Sequence, residues 1–190
     1  NKIEFGDYRY AEDKIYNYFC YIAGARYAFI DKKIYVYRRN EQSVSNTYRK
    51  DGDKDWMRIA QDLQDKIDSL NYEKKQHSQD EIENYESIVA WTIYFAAFFD
   101  GKMEYEYSTG KIRAVINLLK RYASYDLTKK YLKNPLRYTK KIPALSYKIM
   151  LGGFAFLMKC NMYLLLSLGI KLLVDCHIDE RLSDTGRKED

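Results

Sequence analysis

The feature that most constrains the fold is a series of apolar stripes at helical spacing. Between residues 51 and 72, the apolar side chains that recur three or four positions apart are Trp56, Ile59, Ala60, Leu63, Ile67 and Leu70. This period is typical of an amphipathic helix with one face in a core. Comparable stripes predict further helices over 78–100, 109–123 and 126–132. Such helices usually pack as a bundle, and 190 residues suffice for one sizeable core.

Short motifs predict where these helices begin and end. The run Ser78-Gln79-Asp80-Glu81 is a capping box, whose first and last side chains satisfy backbone N–H groups at a helix start. Gly101 is predicted to end the same helix, because glycine is favoured just beyond helix C-termini. Asp51-Gly52-Asp53 is interpreted as a turn and cap, and not as a metal motif.

The N-terminal part of the chain predicts one helix and two strands. The helix is expected from Glu12 to Gly24. Its apolar face is formed by Ile15, Tyr18, Phe19 and Ile22. Strands are predicted over 26–30 and 34–37, because apolar and aromatic residues alternate there on either side of a polar turn.

Glu12 and Asp13 lie in the first turn of this predicted helix. At about 100° per residue, Asp13 points away from the apolar face and Asn17 lies one turn above it. Their position alone can be explained without a catalytic role. Acidic side chains in the first turn of a helix are attracted to the positive end of the helix dipole, which typically stabilises the helix by ~0.3–1 kcal/mol. A catalytic base would have the same pattern, since it needs an ionised carboxylate on a rigid element that faces a cleft.

Short motifs follow one another around this pair at characteristic spacing. They are Ile3-Glu4-Phe5, Tyr10-Ala11-Glu12-Asp13, Tyr16-Asn17, Ala28-Phe29-Ile30-Asp31-Lys32, Tyr35-Val36-Tyr37-Arg38 and Ser43-Val44-Ser45. In order and spacing they resemble the acceptor-side half of bacterial family-2 glycosyltransferases, whose pattern is similar to "aED..fN" followed by "id.plYyYr...nSis". Lys33-Ile34 departs from this pattern, because the family often has a proline before the tyrosine strand. The resemblance spans Ile3 to Asn46, about a quarter of the chain.

The resemblance implies an α+β fold class that is predominantly α-helical. The first part would be the remnant acceptor-side half of a GT-A α/β domain, followed by a C-terminal helical extension. The predicted segments are 1–50 for the glycosyltransferase part, 51–134 for a helical bundle, and 135–190 for amphipathic C-terminal helices and a polar tail. The donor half would precede residue 1, so we expect a longer parent protein and an inactive fragment.

The resemblance also implies an activity. The parent enzyme would be of the hexosyltransferase type, moving a sugar with inversion from a nucleotide-sugar to a glycan or lipid-linked acceptor in cell-surface polysaccharide synthesis. Asp13 is the expected general base, with Glu12 beside it, and Arg38, Ser43 and Asn17 are expected to bind substrate. A divalent cation, Mn²⁺ or Mg²⁺, is expected in the parent enzyme with its ligands outside this chain. The expected location is the cytoplasm.

The segment over 143–174 is mostly apolar, but lysines at 148, 159 and 171 limit its uncharged runs to ten or eleven residues. A spanning helix needs about 20 apolar residues, so no transmembrane helix is predicted. A basic cluster precedes the segment: Lys129, Lys130, Lys133, Arg137, Lys140 and Lys141. Two alternatives are open, a hairpin packed on the body or a contact with an anionic membrane surface at the inner face of the cell membrane. The alternative to glycosyl transfer is accordingly a non-catalytic helical membrane-surface or adaptor module.

Composition disfavours several other classes of protein. The net charge of +5 comes from basic residues interspersed with acids, and no nucleic-acid-binding motif is recognised, so no nucleic-acid partner is predicted. Cys20, Cys160 and Cys176 are too few and too scattered for a disulfide framework, and we expect them to be reduced. His77 and His177 belong to no ligand cluster, so no metal site is predicted within the chain.

Overall fold

The computed structural model describes residues 7–8, 11–24, 26, 28, 30–32, 48–72 and 78–176. Within these ranges 79% of the residues are helical and none is in a strand. The helices are α1 (Glu12–Ile22), α2 (Gly52–Tyr72), α3 (Gln79–Tyr107), α4 (Lys111–Ser124), α5 (Asp126–Leu132), α6 (Pro135–Thr139), α7 (Leu145–Lys159) and α8 (Tyr163–Asp175). The predominantly helical class is therefore confirmed.

The β component of the predicted α+β class is not confirmed. Arg26, Ala28 and Ile30 are exposed and lie outside any strand, so the described positions of the first predicted strand are irregular. The second predicted strand, over 34–37, lies outside the described residues.

Helix α1 forms from the face that the sequence predicts. Ile15 and Ile22 are fully buried, and Tyr18 and Phe19 are partly buried against the same core. The helix ends two residues before the predicted limit, and Gly24 lies just beyond it with φ +75°, a left-handed conformation that glycine adopts without strain. The face that α1 buries packs against α2.

Helix α3 is the centre of the fold, because α2, α4, α6, α7 and α8 all pack against it. Its 29 residues give a length of about 44 Å. The predicted capping box is confirmed at its start: the Ser78 N–H donates to Glu81 Oε2 at 2.7 Å, and the Glu81 N–H donates to Ser78 Oγ at 3.2 Å.

The predicted end of this helix at Gly101 is wrong. Helix α3 continues to Tyr107, and Gly101 is a buried position in its interior. A Cβ atom there would lie 2.9 Å from Ile170 Cδ1 of α8. The Ile170 side chain of α8 packs against the α3 backbone at Gly101, so any larger residue there would have to displace it, and the glycine does not mark the end of the helix.

One hydrophobic core extends through the described helices. It includes Ile15 of α1, Leu63 of α2, Val115 of α4 and Ile170 of α8, so residues from all three predicted segments share it. Two buried tyrosines within it have paired hydroxyls. The Tyr94 hydroxyl donates to the Tyr131 carbonyl at 3.0 Å, and the Tyr131 hydroxyl donates to Gln64 Oε1 at 2.5 Å.

Candidate functional site

The predicted catalytic pair occupies the exposed start of α1. Glu12 and Asp13 are both exposed, and the Lys14 backbone N–H donates to Asp13 Oδ1 at 2.8 Å. Ala11 precedes them with φ 51° and ψ 26°, a left-handed conformation that costs a residue with a Cβ of order 1–3 kcal/mol. The Ile15 N–H donates to the Ala11 carbonyl at 2.9 Å, which begins the helix.

The chain just before the pair is attached to α2. The Tyr8 hydroxyl donates to Asp62 Oδ2 at 2.8 Å, and an Arg58 Nη2 donates to the Asp7 carbonyl at 2.5 Å. The Arg58 guanidinium also lies 5.1 Å from the centre of the Tyr8 ring. Burial and the Asp62 carboxylate raise the pKa of Tyr8 to about 12, so its hydroxyl stays a donor at neutral pH. These contacts fix the approach of the chain to α1.

A solvent-open pocket of about 450 Å³ lies between α1 and α3, and we call it the aromatic pocket. Its lining residues are Asn17, Tyr18, Tyr21, Asn84, Ile88, Trp91 and Lys141. The volume falls within the range of small-molecule sites, about 300–1,000 Å³. Two amides, one ammonium group and three aromatic rings therefore face one space.

The walls of the aromatic pocket are held by contacts outside it. The Trp91 indole N–H donates to the Tyr138 carbonyl at 3.0 Å. The Tyr21 ring meets the Tyr85 ring edge-on, with 5.5 Å between centroids. Lys141 Nζ donates to Asp80 Oδ1 at 2.6 Å, and this bond holds the pKa of the Asp80 carboxyl below its usual value.

A second, mainly apolar cavity of about 230 Å³ shares Tyr18 and Trp91 as walls with the aromatic pocket. Its other lining residues are Ala11, Lys14, Ile15, Trp56, Ile59, Leu63, Thr92, Phe95 and Leu151. The aromatic pocket and this cavity both lie along the side of α1 that faces α3. Aromatic side chains line both, and their faces bind flat apolar surfaces while the polar groups of tyrosine and tryptophan form hydrogen bonds.

The structure brings only some of the predicted site residues together. Asn17 lines the aromatic pocket, whereas neither Glu12 nor Asp13 lines it or the apolar cavity. Asp13 is one helical turn, about 6 Å along the axis, from Asn17. Arg38 and Ser43 lie outside the described residues.

Sequence reasoning did not identify Trp91 or Asn84 as pocket residues. Trp91 belongs to the broad apolar surface of α3, and its position beside Tyr18 depends on how α1 crosses that helix. Asn84 has no local signal, since a single amide on a helix is ordinary. The available signal was the abundance of tyrosine, with 20 in the chain.

A polar cluster between α2, α3 and α4 was also missed. Asp53, predicted as part of a turn and cap, is buried in the first turn of α2. Its Oδ1 lies 3.3 Å from an Nη2 of Arg121, and its Oδ2 accepts from the Tyr125 hydroxyl at 3.0 Å. Nearby, the Tyr122 hydroxyl donates to Asp100 Oδ2 at 2.5 Å. The predicted turn is confirmed only for Asp51, which directly precedes α2.

The described part of the chain contains no group of three or more histidine, cysteine, aspartate or glutamate side chains that could hold a metal ion. Cys20, Cys160 and Cys176 are free cysteines. No known protein family, curated protein or solved structure matches this chain.

Proposed function

We propose that this chain is the acceptor-side part of an inverting glycosyltransferase, and that the start of α1 and the aromatic pocket receive the acceptor glycan. The observation that supports the proposal is the position of Asn17, which lines the pocket beside Tyr18, Tyr21 and Trp91. Sugar rings present flat C–H faces edged by hydroxyls. Aromatic rings suit those faces, and amide groups can both donate to and accept from the hydroxyls.

In the proposed reaction, an acceptor hydroxyl attacks the anomeric carbon of the nucleotide-sugar. A carbon–oxygen bond to the acceptor forms, the bond to the donor's diphosphate breaks, and the nucleotide leaves with the bonding electrons. Asp13 takes the hydroxyl proton on a carboxylate oxygen, since the exposed side chain can be reached by an incoming acceptor. Glu12 lies next to it in the same turn.

The backbone at Ala11 supports this assignment. A left-handed non-glycine residue is retained only where its surroundings over-determine it, and such residues cluster at functional sites. Here the strained residue immediately precedes the acidic pair, while Tyr8 and Asp7 are bound to α2 on its other side. These contacts attach the chain on the N-terminal side of the acidic pair to the body.

The donor side of the reaction is not assigned to the described residues. They contain no group of side chains that could hold a metal ion. The ligands of the proposed divalent cation belong to a donor half outside this chain. Arg38 and Ser43 keep their proposed role in binding substrate. The proposed partners are a nucleotide-sugar donor and a glycan or lipid-linked acceptor.

The test uses the protein as encoded in its natural reading frame. Nucleotide release is measured from a panel of nucleotide-sugars with polysaccharide acceptors and Mn²⁺, for the wild type and for Asp13→Asn. We expect the substitution to lower kcat by about 10²–10⁴-fold, as for loss of a general base. Asp65→Asn, an exposed carboxylate on α2, is the matched control and should change little. Absence of turnover with every donor would overturn the proposed activity, whereas turnover unaffected by Asp13→Asn would remove Asp13 from the mechanism.

The aromatic pocket has its own test in the same assay. Asn17→Ala should raise the acceptor KM about three- to tenfold, the effect of one lost hydrogen bond, and leave the donor KM unchanged. Asn117→Ala on α4, another exposed asparagine, is the control. Equal acceptor KM values for Asn17→Ala and wild type would place acceptor binding elsewhere.

A further inference from the structure

The C-terminal hairpin, α7 and α8 with the turn between them, buries one face and exposes another that is equally apolar. Its buried side chains include Leu151, Phe154, Met158, Leu166 and Ile170. Its exposed large apolar side chains are Leu145, Tyr147, Ile149, Phe156, Met162, Leu164, Leu165, Leu168 and Leu172, each between 44% and 68% exposed. The hairpin is thus packed on the body, as one of the two sequence-based alternatives requires, and still has a large uncovered apolar surface.

These exposed residues form stripes and are not scattered. At about 100° per residue, Leu145, Ile149 and Phe156 fall within roughly 40° of one another on α7. On α8, Leu164, Leu168 and Leu172 fall within roughly 80°, with Leu165 close beside them. Isolated exposed apolar residues are ordinary on a protein surface, but contiguous stripes mark an interaction site.

The charges of the hairpin indicate which kind of partner its exposed face binds. Lys148, Lys159 and Lys171 are exposed or partly exposed, and the single acid between residues 145 and 175 is Asp175, which pairs with Lys171 and leaves the other two lysines as the net charge. On α7, Lys148 and Lys159 are eleven positions apart, so they project from the same edge of the exposed stripe. A second copy of this chain would bring like charges together, whereas an anionic lipid surface complements them.

The geometry of the hairpin selects the mode of contact. No described helix combines the length and apolar character that crossing a bilayer requires. With 15 and 13 residues, α7 and α8 are shorter than the roughly 20 residues needed to span one. Helices with an apolar face and lysines along its edge instead lie in the interface, with the apolar face among the acyl chains and the ammonium groups among the headgroups.

We propose that the exposed face of the α7–α8 hairpin docks this protein, in the plane of the surface, onto a bilayer that contains anionic lipids. Leu164, Leu168 and Leu172 enter the acyl region from α8, and Ile149 and Phe156 enter it from α7. Lys148 binds the anionic headgroups, and so does Lys159, whose ammonium group donates one of its three hydrogens to the Lys133 carbonyl at 2.7 Å and has two others to donate. This proposal goes beyond glycosyl transfer and does not rest on it.

The test is co-sedimentation of the purified chain with phosphatidylcholine vesicles that contain or lack phosphatidylglycerol. We expect binding to the anionic vesicles that weakens at high salt, and much weaker binding to the neutral ones. Leu168→Gln with Leu172→Gln should reduce binding by roughly tenfold for each leucine withdrawn from the acyl region. Ile30→Gln, an exposed apolar residue outside the hairpin, is the matched control.

A second pair of variants tests the charge term. Lys148→Gln with Lys159→Gln should lower affinity for the anionic vesicles several-fold and leave binding to neutral vesicles unchanged. Arg113→Gln with Lys120→Gln removes the same charge from exposed positions on α4 and should have little effect. Circular dichroism and thermal melting show whether each variant is folded.

Three results would overturn the proposal. The first is absence of binding to anionic vesicles by the folded wild type. The second is equal binding by the wild type and the folded double-leucine variant. The third is a wild-type protein that dimerises and does not bind vesicles, and that becomes monomeric in the Leu168→Gln, Leu172→Gln variant. The exposed face would then bind a second copy of the chain. None of these outcomes depends on glycosyltransferase activity, so the two proposals fail separately.

Discussion

Asp100 should make this protein less stable as the pH rises from about 4 to 7. Burial raises the pKa of its carboxyl from 3.8 to about 7, and the charges of Asp53 and Glu104 raise it further against the opposing hydrogen bonds from Tyr122 and Trp56. A raised pKa in the folded state means that the neutral acid stabilises the fold. That contribution is complete below the unfolded value near 4 and is lost once the pH passes about 7.

The structure sets the size of the effect. A rise of about three pKa units corresponds to about 4 kcal/mol at about 1.4 kcal/mol per unit. Asp100 is only partly buried, so screening by water lowers the expected loss to about 2 kcal/mol between pH 4 and pH 8. Asp100→Asn has the shape of the neutral acid and no charge to gain. The Tyr122 hydroxyl can still bond to it, because a hydroxyl both donates and accepts.

The assay is urea unfolding of wild type and Asp100→Asn at several pH values across this range. Because all other titrating groups are common to both proteins, the difference in free energy of unfolding isolates Asp100. We expect that difference to move by about 2 kcal/mol in favour of the asparagine variant as the pH rises. Asp126→Asn is the control with the opposite sign, since Lys129 lowers the pKa of that carboxyl. A difference that stays constant with pH would refute the account of Asp100.

Three further comparisons test helix packing, a helix cap and a buried ion pair. Gly101→Val should destabilise the fold by about 2 kcal/mol, because the valine side chain would displace Ile170. Gly153→Ala should instead stabilise the fold by about 0.5–1 kcal/mol, because its Cβ meets nothing within 4 Å. Thermal melting of both variants measures the two effects. Ser78→Ala should cost about 1 kcal/mol in urea unfolding through loss of the capping box, and equal stability of this variant and Ser69→Ala would contradict that role. Arg121→Met should cost about 2 kcal/mol by leaving buried Asp53 without its cation, and combining it with Asp53→Asn should recover part of the loss.

The sequence predicts the helices well wherever one local stripe defines the buried face. Ile59, Leu63 and Ile67 of α2 are buried as the spacing requires, and α5 has the predicted limits of Asp126 and Leu132. Local sequence patterns give the wrong prediction where packing against a distant element determines the role of a residue. Gly101 has the spacing of a helix stop, but its role is set by Ile170, about 70 positions later.

The candidate site shows the same division. The exposure of Asp13 follows from its angle to Ile15 and Ile22, which is a local property of α1. The aromatic pocket depends on α1 lying beside α3, and Lys141 joins it from the turn after α6. Composition indicated abundant aromatic residues, but only tertiary packing brings Trp91 to Asn17.

The close approach of α8 to Gly101 also affects how this protein is made. About 70 residues separate Gly101 from Ile170, and a ribosome adds about 5–20 residues per second. Helices α3 and α4 can therefore pair several seconds before α8 exists to cover them. During that time the backbone at Gly101 and the neighbouring side chains of Val115 and Leu119 are exposed to chaperones and to other nascent chains. Of the described helices, the last to be synthesised is the one that covers the central helix at Gly101, so a chain that has not yet added α8 leaves this part of the core exposed.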